Sequence, residues 1–159
     1  MLIREAIEED YKVVFEWRND PLSREMFFES TPIAIDAHRS WFFDALQNKM
    51  LKLYIGEINQ MPVGIVRFDL KKKNKEAEVS INVSPSMRGK GLGKELLISS
   101  IDNIEIVLDV KLFARVKIKN MASVNIFQSA GFLAYNKDCL LYTSPSPRDA
   151  TLSRMPSSA

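Results

Sequence analysis

The chain of 159 residues has a single cysteine, a single histidine, six glycines and a formal net charge of only +2. One cysteine excludes an internal disulfide, so the core must hold by packing, and a reducing compartment, the cytoplasm, is the expected address. No apolar run is long enough to span a bilayer, and the first residues lack a signal-peptide pattern, so no membrane association is expected. The small net charge gives no reason to expect nucleic-acid binding or a polybasic anchor. The remainder, 46% apolar and 26% charged, is ordinary for a soluble globular protein, and the length suits one domain with one buried core.

Three of the few glycines alternate in Val83-Ser84-Pro85-Ser86-Met87-Arg88-Gly89-Lys90-Gly91-Leu92-Gly93-Lys94, between an apolar strand-like run and an amphipathic helix. Glycine has no Cβ, so the backbone there can adopt φ > 0 and bring its N–H groups up to a ligand. The following helix adds unpaired N–H donors and a partly positive end. The combination seats a phosphorylated ligand. It is not a Walker loop, because Gly91 follows Gly89-Lys90 where a hydroxyl residue belongs, and not a dinucleotide fingerprint, because Lys94 occupies the place of the third glycine.

Hydrophobic periodicity predicts the frame. Leu2–Ala6 reads as a first strand, and Tyr11–Trp17 as a helix behind the acids Glu8, Glu9 and Asp10, stopped by Asn19-Asp20-Pro21. Asp36 is the expected N-cap of a second helix, with His38, Trp41, Phe42, Ala45 and Leu46 on one face. Leu51–Ile58 and Met61–Phe68 read as a hairpin turning at Asn59-Gln60, with Gly64 marking a bulge. In Glu76–Val83, Ala77, Val79, Ile81 and Val83 alternate with Glu76, Glu78, Ser80 and Asn82. Leu92, Leu96, Leu97 and Ile101 give a helix stripe, Val110–Ile118 a further strand, and Asn120–Ala130 a last helix capped by Gly131. This order predicts an α/β fold with a mixed, mostly antiparallel sheet flanked by helices and ending in a βαβ crossover.

The pattern Arg88-x-x-Gly91-x-Gly93 after a strand ending Val83-Ser84-Pro85 resembles the acyl-CoA loop of the GNAT N-acetyltransferases, and the order of elements resembles that fold. The resemblance implies acetyl-CoA as co-substrate, no metal, and direct transfer of acetyl to a primary amine. It implies that Arg88, Gly89, Lys90, Gly91, Leu92, Gly93 and Lys94 hold the pyrophosphate, and that the backbone of Ile81, Asn82 and Val83 meets the acetyl and pantetheine amides. Asn120, Ser123 and Phe127 resemble the family's final helix, where the asparagine touches the CoA arm; Asn120 is equally a helix N-cap. Phe127 stands where many members carry a tyrosine acid, so Tyr54 or Tyr135 is left to protonate the thiolate, or it departs unprotonated.

For the base that takes the ammonium proton, Glu78 and then Glu76 project from the polar face of the strand before the loop, where the alternative is a surface ion pair. His38 has a suitable pKa but lies on an apolar helix face, where a packing role competes. Trp17, Arg18, Asn19, Arg24 and Trp41 are the expected acceptor residues. Their spacing resembles the branch that acetylates UDP-linked 4-amino-4,6-dideoxy sugars in pseudaminic acid biosynthesis; aromatics suit a uracil or sugar face, and Arg18 or Arg24 a diphosphate. A branch acetylating ribosomal-protein N-termini shares the Trp-Arg-Asn opening, and a non-catalytic acyl-CoA-binding module is a third reading. A monomer or homodimer is expected. From Cys139 to Ala159 the sequence turns Ser- and Pro-rich and resembles translated adapter or vector sequence. The domain is therefore expected over 1–138, with a non-native or disordered tail over 139–159 and the family's last strands missing or replaced.

Overall fold

In a computed structural model, which describes residues 1–71, 73, 75–105, 109–136 and 141–143, the chain is built on one seven-stranded sheet. Strands β1 (Leu2–Glu5), β2 (Leu51–Ile58), β3 (Met61–Lys71) and β4 (Glu76–Val83) pair antiparallel in that order, and β5 (Lys111–Arg115) joins β4 in parallel. The β2–β3 turn places both Asn59 and Gln60 at positive φ, 50° and 66°, which matches the right-handed twist of the strands it joins. The β3 bulge falls at Val63, which is skipped as Gly56 pairs with Gly64 and Glu57 with Pro62. The residue beside it, Gly64, lets Leu96 and the β4 backbone approach closely.

The N-terminal region holds three helices where two were expected: α1 (Tyr11–Asn19), α2 (Pro21–Met26) and α3 (Ile35–Gln47). Pro21 does stop α1, but its fixed φ also suits the first turn of α2, which Asp20 caps by accepting from the Ser23 N–H at 3.1 Å. Ala34, not Asp36, is the N-cap of α3; Asp36 sits in its first turn. Helices α4 (Leu92–Glu105) and α5 (Met121–Ser129) follow the glycine loop and β5.

Alternation along the strands sends one set of side chains to each face. Tyr54, Val66, Phe68, Ala77 and Val79 pack under α4 and α5 with Leu96, Leu97, Ile101, Val124 and Phe127. Leu53 and Ile55 pack on the other face with Val14, Trp17, Phe42 and Ala45 of α1 and α3. No helix among the described residues is long and apolar enough to cross a membrane.

Two further strands follow β5 where the family's last strands were expected to be missing or replaced. Leu133–Asn136 (β6) and Leu141–Thr143 (β7) extend it in the order β5-β7-β6, β7 lying antiparallel to both neighbours. Strand β7 falls within the stretch from Cys139 that reads as foreign. Three residues of extended backbone suffice there, because ladder hydrogen bonds ask for little sequence preference when a neighbouring strand supplies the template. The rest of that stretch lies outside the described residues.

Candidate active site

The parallel ladder between β4 and β5 covers only Glu76–Lys111, Ala77–Leu112 and Glu78–Phe113. Beyond Glu78 the strands part, and residues 79–83 of β4 stay paired only on the β3 side, as far as Gly64–Val83. A fork opens there, with a strand edge of unpaired backbone groups leading directly into the glycine loop. Unpaired ladder groups are a template for an extended ligand bearing amides.

At the head of the fork, Ser84 N–H donates to the Val63 carbonyl at 2.8 Å and a single 3-10 turn, Pro85–Met87, starts the loop. Gly89 and Gly91 have φ of +75° and +74°, and a Cβ built on either meets nothing within 4 Å. The space over them is open, and their backbone faces it beside the first turn of α4. This is the cradle the glycine spacing predicts. Gly93 has a different role: a Cβ there would collide with Ile126 Cδ1, so this glycine lets α4 and α5 pack closely. Gly91→Ala is expected to cost about 1–2 kcal/mol through left-handed backbone strain alone. It should raise KM for the phosphorylated substrate more than it lowers kcat, which steady-state kinetics would resolve.

Arg88 was expected among the loop residues that hold the pyrophosphate, largely through backbone N–H groups, and its guanidinium is engaged with α2. Nη1 donates to Asp20 Oδ2 at 2.9 Å and Nη2 to Ser23 Oγ, and that hydroxyl is 3.2 Å from Asn82 Oδ1. The network ties the cap of α2 to the loop and to the end of β4. Burial opposes the charge on Asp20, but the Ser23 N–H and the Arg88 guanidinium outweigh it and hold the carboxyl below its ordinary value of 3.8. A depressed carboxylate pKa contributes stability that is complete above the unfolded value and is lost as pH falls through the folded one. The stability gap between wild type and Asp20→Asn should therefore be widest near neutral pH and close below about pH 4, as urea melts across pH would record.

The polar residues of β4 face α1 and α2. Register places Glu78 opposite Asp69, Ser80 opposite Arg67 and Asn82 opposite Ile65, so these side chains share one surface. Where the fork opens, Glu78 accepts from Arg115 Nε at 2.8 Å; its side chain is 18% exposed and that of Arg115 is 54%. The ion pair orients the carboxylate across the fork. Glu76 lies further from the loop, opposite Lys71 and Lys111.

Four expected site residues have structural positions instead. His38 is buried between α3 and α1 among Phe15, Trp41 and Phe42, and its Nε2 lies 3.0 Å from the Tyr11 carbonyl. A carbonyl only accepts, so Nε2 carries the proton, and burial pushes the imidazole below its ordinary pKa. This burial among rings supports the packing role that competes with the expected one of base. Trp17 is 4% exposed in the core, because it falls on the α1 stripe with Val14. Asn19 exchanges two hydrogen bonds with the Ile33 backbone, at 2.8 and 3.0 Å, and clamps the α2–α3 connection. Phe127 is buried edge-on against Phe132, with centroids 5.1 Å apart, which withdraws its ring from the fork.

Of the others, Asn120 caps α5 by accepting from the Ser123 N–H at 3.2 Å, so the cap reading holds for both residues. Arg24 Nε donates to the Asn19 carbonyl at 3.1 Å. Lys90 and Lys94 are exposed beside the loop. Tyr54 is buried beneath Phe68, and burial raises its pKa; the Tyr135 side chain lies outside the described residues. Trp41 and Arg18 remain on the acceptor face. Trp41 is 39% exposed with the Arg67 guanidinium 5.2 Å from its ring centre, and Arg18 stacks 4.4 Å over Phe27.

Sequence reading missed Arg67, Asp69, Arg115 and Phe28. The signal for the first two was available, because alternation along β3 puts Ile65, Arg67 and Asp69 on one face. Phe28 was harder to find: it sits outside any element, 5.7 Å from Arg115 and 5.9 Å from Lys117 across the β5 end.

Comparison with known proteins agrees with this geometry. The family model described as "Acetyltransferase (GNAT) domain" matches residues 1–133. A search of curated proteins finds no match. Among solved structures, AAC(6')-Ib in complex with paromomycin and acetyl-CoA superposes with a TM-score of 0.82 at 17% identity, covering 99% of this chain and 98% of that one. Spermidine N-acetyltransferase from Vibrio cholerae, in complex with CoA and spermine, superposes with a TM-score of 0.77 at 16% identity, covering 89% and 90%. At such identities the likeness concerns the fold.

Proposed function

The chain belongs to the GNAT acetyltransferase family and is an acetyl-CoA-dependent N-acetyltransferase, and from that premise we propose that its acceptor is the 4-amino group of a nucleotide-linked 4-amino-4,6-dideoxy sugar, as used in pseudaminic acid biosynthesis. The observation that carries the reaction is the fork between β4 and β5 below an open glycine cradle. The loop and the first turn of α4 would take the pyrophosphate, and the free edge of residues 81–83 the pantetheine amides and thioester. Acetyl-CoA supplies the activated acyl group.

The remaining chemistry falls to this chain. The acceptor enters from the α1–α3 side, where its amine must lie within about 3–3.5 Å of the thioester carbon. The amine lone pair attacks that carbon, the C–S bond breaks and the thiolate leaves with its electron pair. A backbone N–H of the β4 edge is the donor for the transient oxyanion. The proton lost by nitrogen passes to Glu78, directly or through one water. The thiolate needs no tyrosine acid, because a thiol is already a good leaving group at neutral pH.

The sugar reading draws support from the expected acceptor face, where exposed Trp41 and Phe28 stand beside Arg67 and Arg115, which already pair with Asp69 and Glu78, the carboxylates a polycation would want. The solved neighbours are complexes with spermine and with aminoglycosides, all polyamines. A thiol-release assay offering a UDP-4-amino sugar, spermidine, kanamycin and a peptide with a free N-terminus tests the reading. Turnover is expected with the sugar alone. Turnover with the peptide and not the sugar would transfer the assignment to protein N-termini, and CoA binding without turnover of any acceptor would favour a non-catalytic module.

A further inference from the structure

Two arginines on the expected acceptor face are left with buried donors that nothing among the described residues satisfies. Arg18 of α1 gives Nη2 to the Glu29 carbonyl at 3.2 Å, but its Nη1 is buried without a partner. Arg67 of β3 gives Nη2 to Asp69 at 2.9 Å, but its Nε is likewise buried without a partner. Folded proteins rarely strand buried donors, and charged ones least of all. The carboxylate nearest Arg18 does not fill the gap: Glu29 is held by the Thr31 hydroxyl at 2.6 Å and the Thr31 N–H at 3.2 Å.

The two guanidiniums also lie within electrostatic reach of each other. Burial first, and the charge of Arg67 as well, push Arg18 below its ordinary pKa against the opposing pull of Glu29. Their planes are fixed by aromatic rings, Phe27 under Arg18 and Trp41 under Arg67, so the free N–H groups are preorganised. The Arg67 side chain is 37% exposed, which leaves a way in from solvent. Two oriented guanidiniums that each keep a free buried donor, with Asp69 pairing only Nη2 of Arg67, match an oxyanion, and phosphate accepts such forks through several oxygens at once.

We propose that Arg18 and Arg67 form an anion subsite that takes the phosphate or diphosphate of the acceptor, separate from the glycine loop that holds the acyl donor. The subsite deepens the nucleotide-sugar reading and rests on it only for the identity of the phosphate's bearer. A neighbouring aromatic face, Trp41, gives the group attached to the phosphate a surface to stack on. The same pair of cations works against a polyamine acceptor, by like charge.

The test uses full-length protein saturated with CoA, so that the glycine loop is filled. Titration calorimetry then measures binding of inorganic pyrophosphate, UDP and uridine to wild type, Arg18→Met, Arg67→Met and the two lysine variants. Pyrophosphate and UDP are expected to bind, uridine at least tenfold more weakly. Each methionine variant should weaken UDP by about tenfold or more, with an unchanged Kd for CoA, and each lysine variant should fall between, since lysine keeps the charge but not the fork. Melting temperatures without ligand should fall by no more than about 4 °C in either methionine variant, because each loses one hydrogen bond, to the Glu29 carbonyl or to Asp69, and one ring contact. A CoA-saturated protein that ignores both pyrophosphate and UDP would overturn the proposal. So would methionine variants that bind UDP as wild type does. If both anions bind through these arginines and the UDP-amino sugar is not acetylated, the subsite stands and the sugar assignment falls.

Discussion

Glu78→Gln is expected to lower kcat by about 10²- to 10⁴-fold, the range for removing a positioned general base. Glutamine keeps the size of the side chain and an oxygen for Arg115, so the fork should keep its shape. It has no site that takes a proton from an ammonium. Binding of acetyl-CoA should be unaffected, because the loop and the free edge of residues 81–83 offer backbone groups that the substitution leaves unchanged. Loss of the ion pair should cost less than about 1 kcal/mol, since Arg115 is 54% exposed and water replaces its partner. Steady-state kinetics with calorimetry for CoA separate these effects. A kcat within twofold of wild type would move the base elsewhere, with Glu76 the next residue to change.

Gly64→Val should be the most damaging single substitution outside the catalytic group. A Cβ at this position would lie 2.6 Å from Leu96 Cδ2, 2.8 Å from the Asn82 carbonyl oxygen and 3.2 Å from Val83 Cα. Leu96 is fully buried at the α4–sheet interface, and the other two contacts are backbone of the strand edge that would carry the thioester. A leucine tip can rotate, but backbone cannot yield without breaking the β3–β4 register. Overpacking of this kind costs about 1–3 kcal/mol, and each kcal/mol lowers Tm by about 2–4 °C in a chain of this length. The displacement of Asn82 and Val83 should also weaken CoA binding severalfold. Gly89→Ala is the control: its Cβ would meet nothing, so it should leave the β3–β4 strand edge in place and perturb the loop alone. Equal Tm values for Gly64→Val and wild type would show that the strand edge tolerates movement.

The elements read from periodicity were mostly those the chain forms, because alternation and helical spacing report burial on one face and both faces here are covered. The departures have local reasons. Pro21 was read only as a stop, although the same fixed φ that ends α1 opens α2. Trp17 and Asn19 were read as acceptor residues from their place in a motif. The face of α1 on which a tryptophan lands, and the connection an asparagine clamps, depend on the angle at which α1 meets α3. His38 showed both possibilities in sequence, and its place among aromatic rings, with Nε2 donating to the Tyr11 carbonyl, supports the packing one. The family's last strands were expected to be missing or replaced from Cys139, and β7 forms within that adapter-like stretch.

By itself the sequence determined the glycine cradle, since a phosphate seat made from positive φ and a helix N-terminus is built from contiguous residues. It also determined the polar face of β4, because a period of two needs no knowledge of neighbours. Only the tertiary structure decided what stands around that face. Arg67 reaches it through antiparallel register, Arg115 through a three-pair parallel ladder that then ends, and Arg18 through the packing of α1 on the sheet. Arg88 was placed at the pyrophosphate by resemblance, largely for its backbone N–H, and its side chain goes to Asp20 and Ser23 in the fold, because α2 brings a capping carboxylate within reach. Long-range placement of charge depends on register and helix packing, and neither is set by the spacing of residues within one segment.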